Sequence, residues 1–184
     1  LKIDDKLIFR NVMNEFSFSE SRYINSHIDY ETYIRDRVHY EKTFLLPNNR
    51  LSTYRDIVNR GIFNFVDGEI HHVSIEISDV HNNISTLTFK VRSGTGIKAR
   101  DNDQYDSGLI MMPYNRANRF RASNIVISIP PGALYDTLMF SYKKEPPAKG
   151  MLSELHYVHN KYTPLHKSYS LSIKPVTIPS GKES

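Results

Sequence analysis

With 184 residues the chain can hold one large or two small domains, and its 39% apolar content leans on 12 Tyr and 9 Phe, large rings that favour strands. A formal charge of +4, mixed from 24 basic and 20 acidic residues, is too weak and too scattered for a nucleic-acid face. The lack of cysteine excludes disulfides, thiolate metal sites and a Cys nucleophile, and no stretch reaches the roughly 18 apolar residues that span a bilayer.

In chain order, Leu1–Ile3 and Leu7–Phe9 flank Asp4-Asp5, the pattern of a tight hairpin. The start at Leu1, without Met, reads as internal, with any targeting segment upstream. Phe16 and Phe18 alternate with Ser17 and Ser19, as in a strand. Ile28, Tyr33, Ile34, Arg37, Val38 and Tyr40 follow helical spacing, with Glu31, Arg35, Asp36 and Glu41 opposite, which predicts a helix over 29–41 inserted between strands. Leu46-Pro47-Asn48-Asn49 ends it, and 51–61 has room for one more helical turn. Ile62-Phe63-Asn64-Phe65 then leads into a turn at Asp67-Gly68.

The segment HHVSIEISDVHNNISTLTFKV (71–91) is the most informative in the chain. Val73, Ile75 and Ile77 alternate before the turn formers Asp79-Val80-His81-Asn82-Asn83, and Leu87, Phe89 and Val91 alternate after them, so each strand is expected to bury one face. Residues 94–107, with Gly94, Gly96, Asp101, Asn102, Asp103 and Asp106, read as a linker. From Gly108, strands are expected at 125–129, 138–142, 155–159 and 169–173, with Pro130-Pro131-Gly132, Pro146-Pro147 and Pro175 between or after them. The expected fold is mainly β: an immunoglobulin-like domain over 1–93 with the helical insertion, and a second sandwich-like unit over 108–176 that strands beyond the chain could complete. Residues 177–184 form an expected flexible tail.

Candidate sites were weighed against plainer roles. His71 and His72 point to opposite faces of a strand and cannot share one ion, so they read as surface or strand-edge histidines. His156 and His159 also diverge on a strand; with His166 they form a three-His group that is a minor candidate for a metal, against rings that bond backbone in a loop-rich region. Asp101, Asp103 and Asp106 miss the calcium-loop pattern, with Asp106 where Gly belongs and Met112 where Glu belongs; a looser calcium site in this linker is the minor alternative to a solvated one. Gly94-Thr95-Gly96 with Lys98 does not satisfy the phosphate-loop spacing. Tyr23, Tyr30, Tyr33, Tyr40 and Tyr54, beside Arg22, Arg35, Arg37 and Arg55, could grip sugar or a partner, although packing the helix is the simpler role. Ser17, Ser19 and Asp29 form no recognisable triad.

The hairpin 71–91 resembles the closing hairpin of bacterial immunoglobulin-like repeats, with Asn82 where their turn has Gly. FSFSESRYINSHIDY (16–30), NNRLSTYRDIVNRGI (48–62), the hairpin itself, IPPGALYDTLMFSY (129–142) and YTPLHKSYSLSI (162–173) resemble the immunoglobulin-like region downstream of the catalytic domain in lysostaphin-type (LytM-like) zinc metallopeptidases of Bacteroidota. That resemblance implies an extracytoplasmic protein, periplasmic or outer-membrane associated, and a peptidoglycan hydrolase as parent. The catalytic signature of that family is a His followed four residues later by Asp, then His-x-His. Here His27 is followed at that spacing by Glu31, His72 by Glu76 and His39 by Thr43, and no His-x-His occurs.

No catalytic, cofactor-binding or metal-binding residue is therefore assigned; zinc is expected only in a catalytic domain elsewhere. The expected role is a non-catalytic accessory region that positions that catalytic domain, in the same polypeptide or a separate chain, or binds wall glycan or an envelope protein. The alternative is a stand-alone envelope adhesion or glycan-binding module. No nucleic acid and no membrane span are expected.

Overall fold

The computed structural model describes residues 1–15, 17–94 and 108–178. The chain is mainly β and divides into two compact units, Leu1–Asn102 and Asp103–Ser184.

The first unit opens with β1 (Lys2–Ile3) and β2 (Lys6–Leu7), joined at Asp4-Asp5, where φ is +47° and +61°. Asp tolerates this left-handed turn better than most residues. β3 (Arg10–Asn11) follows, then a single 3-10 turn at Phe18–Glu20 and α1 (Ser21–His27). The strand expected around Phe16 and Phe18 is thus corrected at Phe18; Phe16 lies outside the described residues. The local reason is a capping box, in which the Ser17 hydroxyl accepts from the turn's backbone and Glu20 Oε2 accepts from Ser17 N–H at 3.1 Å.

α2 (Tyr30–Asp36) is capped by Asp29, whose carboxylate accepts from the Thr32 N–H and hydroxyl, and it stops at Arg37 with φ +59°. The helix expected over 29–41 is therefore seven residues long. Past Arg37 the chain doubles back: Asp29 N–H donates to Tyr40 O, Lys42 N–H donates to His27 O, and Glu41 pairs with Ile28. This non-local pairing outcompetes the helical periodicity of residues 37–41. The 51–61 region contains the short β4 (Tyr54–Arg55), paired with β3, and a 3-10 turn at Asn59–Gly61. A side chain on Gly61 would run into the backbone of Thr43 and Phe44, and φ there is +78°.

β5 (His71–Ser78) and β6 (Ile84–Val91) form the expected hairpin, with His71 opposite Val91 and Ser78 opposite Ile84. Asp79 organises the turn by accepting from the His81 and Asn83 amides. β1 adds antiparallel to the other side of β5, giving the order β2-β1-β5-β6. Ile3, Ile8 and Val73 form the small core, with Phe65 and Val91 packed against it. The expected buried face of the hairpin is corrected here. It is covered only at the base. Toward the turn, Ile77 and Leu87 are 68% and 60% exposed, and Phe89 is also exposed.

The second unit contains β7 (Ile110–Met112), β8 (Asn118–Ala122), β9 (Ile125–Ile129), β10 (Leu138–Phe140), β11 (Tyr142–Glu145), β12 (Leu155–Val158) and β13 (Ser170–Ile173). They make a three-stranded sheet β13-β9-β8 and two pairs, β10-β7 and β11-β12. The run expected as one strand over 138–142 is split at Ser141, whose N–H points to His159 Nδ1 and whose carbonyl accepts from His159 N–H. The strand expected over 155–159 ends at Val158, because His159 turns left-handed at φ +50°. Met112, Ile125, Ile127, Ile129, Ala133, Leu134 and Phe140 form the core, with the Phe120 ring tilted against Phe140. The linker residues from 95 to 107 and the tail from 179 lie outside the described residues.

Ile127 is 1% exposed, whereas its cross-strand neighbour Leu171 is 44% exposed. Ile127→Ala should cost about 2–5 kcal/mol in urea unfolding, and Leu171→Ala clearly less; equal losses would contradict this packing.

Candidate functional site

Three groups of polar side chains collect at places the fold makes by non-local pairing. In the first unit, α1 ends at His27, whose ring is 1% exposed. Asn11 from β3 places Nδ2 3.1 Å from His27 Nε2, and Tyr54 from β4 places its hydroxyl 2.9 Å from Nδ1. Asn49 Nδ2 donates to Ser26 Oγ and, at 3.3 Å, to the Tyr54 hydroxyl. A neutral ring fits these partners: the Asn11 amide donates to Nε2, and Nδ1–H donates to the Tyr54 oxygen. Glu41 lies 3.5 Å from Nε2 and favours protonation, but burial is the larger effect and lowers the His27 pKa. Burial also pushes the Tyr54 phenol well above its ordinary value. Asn11 Oδ1 and Thr53 Oγ1 are buried without a protein partner. The buried ring and its partners tie the insertion to β3 and β4.

At the base of the four-stranded sheet, His71 lies between two carboxylates. Nδ1 is 2.7 Å from Asp4 Oδ2 and Nε2 is 2.9 Å from Asp67 Oδ1. Phe63 and Phe65 pack their rings on the imidazole with centroids at 5.9 and 4.9 Å. The hydrogen bonds to Asp4 and then Asp67 raise the His71 pKa, and the same bonds hold both carboxyls below their ordinary range. The reading of His71 as a surface or strand-edge residue is corrected: it is buried and ion-paired. His72 does point away and is exposed.

In the second unit the three histidines go to three different partners. His156 Nδ1 meets the Tyr142 hydroxyl at 2.8 Å, His159 Nδ1 meets the Ser141 N–H and hydroxyl at 3.3 Å, and His166 Nδ1 meets the Tyr135 hydroxyl at 3.3 Å. Side-chain hydroxyls, more than backbone, hold these rings. Asn160 Oδ1 is taken by the Tyr162 and Thr163 amides, so its Nδ2 faces His159 Nε2 at 3.2 Å. Donors thus face both ring nitrogens, the Ser141 N–H at Nδ1 and the Asn160 amide at Nε2, and a neutral ring accepts at only one of them.

Among the described residues no group of three or more His, Asp or Glu is placed to hold a metal ion. Asp101, Asp103 and Asp106, and residues 95–98 of the Gly94-Thr95-Gly96-Lys98 stretch, lie outside the described residues. Of the tyrosines near the insertion, Tyr54 belongs to the buried cluster, Tyr33 packs edge-on against His39 and Tyr40 is exposed. Ser17 and Asp29 are helix caps. Sequence reasoning missed the Asp4–His71–Asp67 arrangement; the two turns carrying Asp4 and Asp67 were visible, but not their convergence.

Residues 110–184, less than half of the chain, match the family model of the Zu5-like domain. No curated protein and no solved structure gives a match. The Zu5-like similarity carries no link to lysostaphin-type peptidases or to Bacteroidota. No helix of the described residues is long and apolar enough to cross a membrane.

Tyr54→Phe removes the oxygen shared by His27 and Asn49 and should cost about 1–3 kcal/mol in urea unfolding, whereas Tyr40→Phe, on an exposed ring, should stay within about 0.5 kcal/mol. Because the folded His27 pKa is lowered, its contribution is complete above the ordinary value of about 6.5 and is lost as pH falls below it. A Tyr54→Phe variant as stable as the parent would refute the buried network.

Proposed function

We propose that the chain is a non-catalytic, immunoglobulin-like accessory region of a cell-envelope peptidoglycan metallopeptidase, and that it docks the catalytic domain of that enzyme. The observation that carries the docking role is the β5–β6 arm. Direct cross-strand partners share a face, so Ile75, Ile77, Leu87 and Phe89 stand together, with Ile77, Leu87 and Phe89 exposed. The opposite face carries Ser74, Glu76, Thr86, Thr88 and Lys90, with exposed Ile84 beside the turn, while Ser85 lies on the apolar face opposite Ile77. Such segregation is what a strand pair needs to rest on an apolar partner while its other side stays wet. The peptidase context is supported by the strings at 16–30, 48–62, 71–91, 129–142 and 162–173, and an extracytoplasmic location follows from that context.

On this reading the isolated chain releases no muropeptides from peptidoglycan sacculi, with or without added zinc. It associates with a separately purified lysostaphin-type catalytic domain taken from a protein that carries the same strings downstream. Ile77→Ser with Leu87→Ser, at exposed positions, should weaken that association at least about tenfold, a change of about 1.4 kcal/mol, without lowering thermal stability. Muropeptide release by the chain alone, or full association by the double variant, would overturn the respective half of the reading.

A further inference from the structure

We propose that Asp4, His71 and Asp67 form a proton-operated latch that holds segment 66–70 against the base of the four-stranded sheet while the ring carries two protons and releases it when the ring is neutral. The argument begins with donor counting. Carboxylates only accept hydrogen bonds, and both ring nitrogens of His71 face one at 2.7 and 2.9 Å. A neutral imidazole has a single N–H. It can satisfy one carboxylate and must then turn a lone pair toward the other at short range. Both contacts exist together only in the imidazolium form.

The surroundings decide which contact yields. Asp4 is fixed independently of the ring: its N–H donates to His72 O and its Oδ1 accepts from His72 N–H, both at 2.9 Å. Asp67 sits on an exposed loop with no strand pairing. Apart from the ring, its carboxylate accepts from the Glu69 N–H two residues on and from its own N–H, and the next residue, Gly68, donates to Ser93 Oγ at 3.1 Å. Loss of the second ring proton therefore leaves Nδ1–H on Asp4 and frees the Asp67 loop.

The charges around the ring support one titrating unit. The β1–β2 turn presents Asp4, the loop presents Asp67, residues 63 and 65 present phenyl rings, and β6 presents Val91 directly opposite. His72 and Lys90 pair with each other on the other face of the sheet, although the His72 charge still favours ionised Asp4. The sign follows. The latch is closed below the folded pKa of His71, which lies above the ordinary imidazole value, and opens as pH rises through it. At the acid end both contacts weaken as Asp4 and Asp67 take up protons below the ordinary carboxylate range. The latch does not depend on the docking role proposed above.

Global stability is a poor readout, because His27 in the same unit titrates with the opposite sign. The test is a nitrogen-15 NMR titration of the whole chain between pH 5 and 9 that follows the ring nitrogens of His71 and the amides of residues 67–69. We expect the ring to remain doubly protonated past the ordinary value of about 6.5, and the loop amides to shift with the same midpoint. Asp67→Asn should lower the His71 midpoint and abolish the coupled amide shifts. A His71 midpoint at or below the ordinary value, or loop amides that do not follow the ring, would overturn the latch; the parent chain alone decides this even if the variant folds poorly.

Discussion

β5 has a hydrogen-bonded neighbour on each side, and the two come from very different distances along the chain. β6 reaches it through a five-residue turn, whereas β1 pairs Lys2 with Ser74 and Ile3 with Val73. This second pairing brings Ile3 and Ile8 onto Val73 and so makes the small core of the first unit. It also delivers Asp4 to the end of β5, where the Asp4 side chain and backbone grip His71 and His72. Without it the hairpin would be an isolated two-stranded ribbon, which is marginal in water.

The same geometry explains why the hairpin emerges as an arm. β1 covers only the first residues of β5, and beyond Ser74 neither strand has a third partner on that side. Alternation sorts the side chains into an apolar and a polar face regardless of whether anything lies on the apolar one. Core and arm therefore share one pattern and differ only in what stacks above it.

Much of the architecture was legible because its signals are local. The Asp4-Asp5 turn, the 71–91 hairpin, β9 before its two prolines and β13 before Pro175 all follow from period-2 alternation and turn chemistry. The capping box of Ser17 and Glu20 is equally local, but the Phe-Ser alternation beside it points to a strand. β8 was readable from Arg119 and Arg121 flanking Phe120, and went unread because two charges in five residues do not resemble a buried strand. What sequence could not supply was convergence. Asp4 and His71 are 67 positions apart, and the His27 cluster gathers residues from 11 to 54. Such groups become visible only once β1 lies on β5 and β3 on β4. The split at Ser141 is of the same kind, since a ring from position 159 takes the amide that would have continued the ladder.

The pairing of β1 with β5 also orders events in folding. Closing the chain between Ile3 and Val73 costs loop entropy before any contact rewards it, whereas the β5–β6 turn closes at once. The hairpin can thus form without waiting for that closure, and the insertion between β2 and β5 can shorten the loop by folding on itself through the Ile28–Glu41 bridge. During synthesis β1 can pair with β2 at once, but its other edge must wait some seventy further residues for β5.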